Sequence, residues 1–228
     1  MSRTRWDLVV FDNDGVLVDS ERTANVVLAR ILSELWRPTT FEDSVATYLG
    51  GSIERVRSLV ESQSSRPLPD DFEDRYHREL FSAFDTGLAA VPGAAALVDA
   101  LAASDLPFCV ASSGSRARIE RTLTQVGLWA HFERRAFSAD EVVAGKPAPD
   151  LFLRAAELSG ADPARTIVVE DSPLGVEAAG AAGMACIGFA AVTPGHRLTG
   201  AGAIVESMDQ VEALIMAGPP LISWSGRA

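Results

Sequence analysis

The chain has 228 residues, 47% hydrophobic and 22% charged, enough to bury a sizeable core and ordinary for a globular protein. A formal net charge of −11 argues against a nucleic-acid-binding surface or an anionic membrane partner, because both need clustered positive charge. No apolar stretch is long enough to span a bilayer, and the N-terminus lacks a secretory pattern.

In chain order, the first element is the apolar run Leu8, Val9, Val10 and Phe11, a buried-strand pattern that ends in Asp12, Asn13, Asp14 and Gly15. A plain turn is one reading of that ending, since Asp and Asn bond nearby backbone and Gly15 permits a positive φ. Residues 17–89 then read as helical. Val27, Ile31 and Leu35 recur at fourfold spacing, Val56, Leu59 and Val60 mark "IERVRSLV", and "DFEDRYHRELFSAF" supplies another helix beyond a loop at 64–71. "VPGA" at 91–94 marks a return to a different pattern, in which strands and helices alternate.

That series starts with "FCVASS" at 108–113 and a helix carrying Ile119, Leu123 and Val126, closed by Gly127. "AFSA" is a short strand candidate; Leu151, Ala155 and Leu158 mark a helix between Pro149 and Gly160. "TIVVE" at 166–170 is a strongly apolar strand, and "SPLGVEAAGAAG" a helix with Pro173 in its first turn. "ACIGFA", "AIVES" and a final helix at "VEALIMAG" complete it. The alternation implies an α/β fold with a parallel sheet covered on both faces, built from residues 1–16 and 90–228, with an α-helical insertion over 17–89. Cys109 and Cys186 lie inside apolar strand-like runs, so buried free thiols and a reducing, cytoplasmic setting are expected. His77, His131 and His196 lack ligand spacing, which argues against zinc.

Ligands of parallel α/β sheets gather beyond the carboxyl ends of strands. Asp12 and Asp14 end the first strand, Ser112 and Ser113 end "FCVA", and Glu170 and Asp171 end "TIVV". Lys146, the single lysine among 20 basic residues, lies in "GKPAPD", a loop locked by two prolines. Carboxylates brought into one cleft repel each other unless a cation intervenes. Mg²⁺ meets that need, because it binds through few carboxylates plus substrate phosphate. Lys146 and the Ser112 hydroxyl then offer the charge and hydrogen bond that phosphate oxygens require. Ser112 as a helix cap, and Asp171 with Ser172 as an ordinary helix start, are the alternatives.

"DNDGVLVDSE" at Asp12–Glu21, Ser112 at a strand end, "GKPAPD", and "EDSPLGVEAAGAAGM" from Glu170 to Met184 resemble, in order and spacing, the haloacid dehalogenase superfamily. The likeness is to its phosphatase and phosphomutase branch with a helical cap, and it runs from about residue 6 to 190. The resemblance implies a Rossmann-like core and a mobile cap over 17–89. It makes Asp12 the nucleophile that forms an aspartyl-phosphate and Asp14 the general acid and base. Asp12, the Asp14 backbone carbonyl and Asp171 would hold Mg²⁺, with Glu170 close to the ion directly or through water. Ser112, Ser113 and Lys146 would bind the phosphoryl oxygens. Gly50, Gly51 and Ser52 fall where related caps present a specificity loop. Arg75 and His77, with Arg78, could reach a polyol or second anion, although a charged helix face is usually just solvated. Asp19 and Glu21 read as hinge or helix-start residues, and Asn13 carries no assigned role.

The expected activity is Mg²⁺-dependent hydrolysis of a small phosphorylated metabolite, a sugar phosphate, by a monomer with no nucleic-acid or membrane partner. A mutase of the β-phosphoglucomutase type is the alternative. Against it, Ala24 stands where such mutases carry a histidine, and Ile53 where they use a cap arginine. A phosphoaspartate signalling switch is disfavoured by the placement of the acceptor on the first strand, by Asp14, and by the helical insertion.

Overall fold

The computed structural model describes residues 6–49, 53–64 and 66–219. Its strands are β1 (Leu8–Phe11), β2 (Phe108–Ser112), β3 (Ala136–Ser138), β4 (Thr166–Glu170), β5 (Ala185–Phe189) and β6 (Ala203–Val205). Its helices are α1 (Ser20–Leu35), α2 (Phe41–Tyr48), α3 (Ile53–Ser62), α4 (Phe72–Gly87), α5 (Ala94–Ala102), α6 (Arg116–Gln125), α7 (Trp129–Phe132), α8 (Asp150–Ser159), α9 (Pro173–Ala181) and α10 (Met208–Ala217). The chain separates into two compact units, Met1–Asp19 with Ala89–Ala228, and Ser20–Leu88.

The first unit is an α/β layer structure around one parallel sheet of order β3-β2-β1-β4-β5-β6. Every residue of β1 to β5 is buried. Successive side chains of a strand point to opposite faces, so complete burial means that helices cover both. On one face Leu8 and Val10 join Leu151, Phe152 and Ala155 of α8 and Val176 and Ala179 of α9. Cys109 and Cys186 belong to the same core as free thiols, and burial pushes both well above the ordinary thiol range.

The chain grows outward from β1 through β2 to β3, then crosses to the other side of β1 to lay down β4, β5 and β6. Such a reversal opens a crevice beyond the carboxyl ends of the central strands. The register pairs Phe11 with both Val110 and Val169, so Asp12, Ser112 and Glu170 emerge at nearly the same level. The helices that follow are started by side chains that bond their first free N–H groups. Ser115 caps α6, and Ser172 caps α9 with Pro173 at its first position.

The second unit has its own apolar centre. Val27, Leu28, Ile31 and Leu32 of α1 pack with Tyr48, Ile53, Val56, Val60, Leu68 and Phe72. One buried polar link crosses it: Ser44 Oγ donates to Asn25 Oδ1 at 2.8 Å, while Asn25 Nδ2 donates to the Glu21 carbonyl at 2.8 Å. No helix among the described residues is long and apolar enough to cross a membrane.

Candidate active site

The first strand delivers its carboxylates through a tight turn. Gly15 adopts φ 82°, its N–H donates to Val18 O at 2.8 Å, and the Leu17 and Val18 N–H groups both donate to Asn13 O. Asp12 therefore leaves the end of β1 with its own N–H bonded to Val169 O of β4, and Asp14 sits two residues on. Asp12 is 6% exposed, and Asp171 at the end of β4 is equally buried.

Lys146 reaches this point from its loop. Its Nζ donates to Asp12 Oδ1 at 2.6 Å and to Glu170 Oε1 at 2.5 Å, and its side chain is 4% exposed. The ammonium also lies 4.8 Å from the centre of the Phe152 ring, where the π face adds favourable charge density. Burial alone would pull this ammonium down, but Asp12 and Glu170 together hold it above the ordinary lysine range, so it remains charged. For Asp12 burial dominates: it pushes the carboxyl up to about 7, with Glu170 and Asp14 adding to the rise and Lys146 opposing it.

Glu170 is fixed from both ends. Oε1 takes the lysine, and Oε2 accepts the Ser172 N–H at 2.7 Å. That N–H opens α9, where the helix dipole also favours an anion. Glu170 thus anchors Lys146. Among the described residues, no three His, Cys, Asp or Glu side chains form a ready-made metal cage.

Ser112 is buried at the end of β2, where its Oγ accepts the Gly114 N–H at 3.0 Å and lies 3.5 Å from Asp14 Oδ2. Ser113, the next residue, is exposed. In the helical unit, Arg75 is engaged by Glu79 at 2.7 Å and by Glu34, which in turn bind Arg30. His77 packs its ring against Tyr76 and Phe81. The expected specificity loop of Gly50, Gly51 and Ser52 lies outside the described residues.

Two side chains to which the sequence assigns no role join the cluster. Arg118 Nη2 donates to Asp14 Oδ1 at 2.7 Å, and Asn13 Nδ2 donates to Asp14 Oδ2 at 3.3 Å. Arginine in the first turn of a helix opposes the dipole there, and that anomaly was the available signal.

A parallel α/β sheet with a buried lysine between strand-end carboxylates is the kind of site that binds a small anionic group beyond the carboxyl ends of its strands. The chain belongs to the haloacid dehalogenase-like hydrolase family, whose model matches residues 6–183. It is 34% identical over 180 residues to a probable pseudouridine-5'-phosphatase of Drosophila melanogaster, covering 77% of this chain and 78% of that protein. It is 30% identical over 217 residues to the bifunctional riboflavin kinase/FMN phosphatase of Arabidopsis thaliana, covering 95% of this chain but only 57% of that protein. Among solved structures, a conserved haloacid dehalogenase-like protein of Agrobacterium tumefaciens superposes with a TM-score of 0.87 at 35% identity, covering 93% of this chain and 98% of that one. The family model describes hydrolases, and phosphatase is the activity that the names of these two curated relatives carry.

Proposed function

We propose that the protein is a Mg²⁺-dependent phosphatase that hydrolyses a small phosphomonoester of a sugar or polyol through an aspartyl-phosphate on Asp12. The observation that carries this reading is the buried clasp of Asp12, Lys146 and Glu170 beside Asp14. A nucleophilic carboxylate needs a neighbouring cation to accept a phosphoryl group, and a second carboxylate to move protons.

The donor set fits Mg²⁺. Asp12, Asp14 and Glu170 set three carboxylates against two cations, Lys146 and Arg118, the buried Asp171 follows at the end of β4, and every available ligand is a hard oxygen. Asp12, Asp171 and the Asp14 carbonyl would hold the ion. When bound, it neutralises charge on the transferring phosphoryl group.

The chain's own residues do the rest. Asp12 attacks phosphorus in line while Asp14 protonates the departing alkoxide, and Asp14 then takes a proton from the water that cleaves the Asp12 phosphate. Lys146 and Ser112 stabilise the oxygens that carry charge in both transition states. The helical unit acts as the cap that sets selectivity. The phosphates named for the two curated relatives, FMN and pseudouridine 5'-phosphate, are both primary esters on a five-carbon polyol or sugar, which supports a substrate of that chemistry. Against the mutase alternative, Ile53 is buried in the apolar centre of the helical unit rather than replaced by a polar group.

The test is phosphate release from a panel of sugar and polyol phosphates with Mg²⁺ present. Many turnovers on at least one member, with none from Asp12→Asn, is the expected result. An active Asp12→Asn enzyme overturns the covalent route, and efficient conversion of β-glucose 1-phosphate into glucose 6-phosphate overturns the choice of hydrolysis.

A further inference from the structure

The Asp14 carboxylate is held from α6 as well as from the turn that delivers it and from Ser112. Arg118 Nη2 approaches Oδ1 at 2.7 Å, and Asn13 Nδ2 approaches Oδ2 at 3.3 Å. Asn13 is itself tied to α6, because its Nδ2 also donates to Thr122 Oγ1 at 3.1 Å. The Thr122 hydroxyl proton faces the helix carbonyls of Arg118 and Ile119, at 3.0 and 3.1 Å, so toward Asn13 that oxygen can only accept. Both partners of the Asn13 amide are acceptors, which fixes its NH₂ toward Asp14 and makes its orientation a consequence of the helix.

The path of Arg118 is equally built. Ser115 Oγ accepts the Arg118 N–H at 3.3 Å and starts the helix there. The Arg118 stem passes over Gly114, where a Cβ would stand 3.2 Å from Arg118 Cδ. An arginine in a first turn is disfavoured by the dipole, and the Asp14 carboxylate offsets that penalty.

We infer that Asn13 and Arg118 are positioning residues that hold the Asp14 carboxylate for the hydrolytic half of the reaction, an inference that rests on the role of Asp14 given above. In that half, the water oxygen bonds to phosphorus and the bond from phosphorus to the Asp12 oxygen breaks. Its electron pair returns to the Asp12 carboxylate, and the water proton passes to Asp14. The Arg118 guanidinium fixes one Asp14 oxygen by a hydrogen bond and the Asn13 amide fixes the other, so the carboxylate is held in one orientation toward the attacking water.

The experiment uses 4-nitrophenyl phosphate, whose leaving group departs without needing a proton. For this substrate kcat/KM reports attack by Asp12, and kcat reports hydrolysis of the intermediate when that step is slow. Arg118→Met and Asn13→Leu are expected to lower kcat by about 10- to 100-fold, with kcat/KM within about threefold of wild type. A stoichiometric burst of nitrophenol should appear, and Arg118→Lys should recover part of kcat. Arg118 is about one-third exposed, so its variant carries the test even where Asn13→Leu does not fold. Equal losses in kcat and kcat/KM, or wild-type kcat in both variants, overturn the inference. Asp14→Asn separates the two readings. If it shows the burst and they do not, only the positioning role falls; if it leaves kcat unchanged, the assignment of Asp14 itself falls.

Discussion

Gly175 lies in the first turn of α9, and the space its side chain would take is already filled by Glu170. A Cβ built there would stand 1.9 Å from Glu170 Cδ and Oε1 and 2.5 Å from Cγ, far inside any tolerated contact. The obstacle cannot swing aside freely, because the Glu170 side chain is 1% exposed and is bonded to Lys146 and to the Ser172 N–H. Gly175→Ala must therefore displace the carboxylate, and Lys146 loses one of its two anchors. Overpacking of this kind costs about 1–3 kcal/mol in stability. A shift of about 1 Å in Lys146 would lower turnover by about 10²-fold. Thermal unfolding and phosphate release measure the two effects.

The same variant in a Glu170→Ala background isolates the cause. With the carboxylate gone the new methyl has room, and alanine is favoured over glycine in a helix by up to about 0.5–1 kcal/mol. The effect of Gly175→Ala on stability should thus change sign between the two backgrounds. Equal destabilisation in both, or a wild-type melting temperature in the single variant, would refute the steric account.

Lys146→Arg keeps the charge but should lose most activity, with a stability loss no larger than the roughly 1–3 kcal/mol that overpacking costs. A planar guanidinium needs a fork-shaped partner and more room than the gap between Asp12 Oδ1 and Glu170 Oε1 offers; normal turnover by this variant would remove Lys146 from the phosphate site. The Asp12 carboxyl, raised from 3.8 to about 7, stabilises the metal-free fold while protonated, fully so below pH 3.8, and that contribution is lost as pH rises through 7. Mg²⁺ needs the ionised form, so its affinity by calorimetry should climb by up to about tenfold per unit toward pH 7 and then level off; equal affinity at about pH 5.5 and about pH 7.5 would contradict this. Asn25→Ala should lower the stability of the helical unit by about 1–3 kcal/mol in thermal unfolding, because it leaves the buried Ser44 hydroxyl without its acceptor.

The strands were legible because fully buried parallel strands read as short apolar runs between polar ends, as "LVVF" and "TIVVE" do. The order of the sheet was not, since no local pattern records which strand lies beside β1. The helix α2 escaped notice for a related reason: eight residues show barely two turns of periodicity. Its surviving signal is the capping box, in which Thr40 Oγ1 accepts the Asp43 N–H and Asp43 accepts that of Thr40. In the site, residues at strand ends could be named because the sheet carries them to one place. Arg118 could not, because the rotation of α6 about its own axis decides which side chain faces Asp14, and the role of Asn13 stayed hidden because it depends on Thr122 of that same helix. Gly175 is the intermediate case: its position in the motif was visible, but its reason is a contact with a residue five places earlier.

The charge around Asp12 constrains the order in which a phosphatase at this site could work. Asp12, Asp14 and Glu170, when all are ionised, exceed the charge of Lys146 and Arg118 by one before any substrate arrives. A phosphomonoester adds up to two more near neutral pH. Lys146 cannot offset them alone, since its ammonium is already shared between Asp12 and Glu170, and Arg118 is turned to Asp14. A divalent cation on Asp12 and Asp171 would cancel the excess, and it would also release Lys146 from part of its load on Asp12, freeing a donor for a phosphoryl oxygen. Phosphate binding in turn supplies the ion with another oxygen ligand. Each therefore strengthens the other, and thermodynamic linkage makes that strengthening equal in both directions. A surface that is acidic overall can then admit an anion, because the attraction is confined to a buried point and appears only when the cation is present.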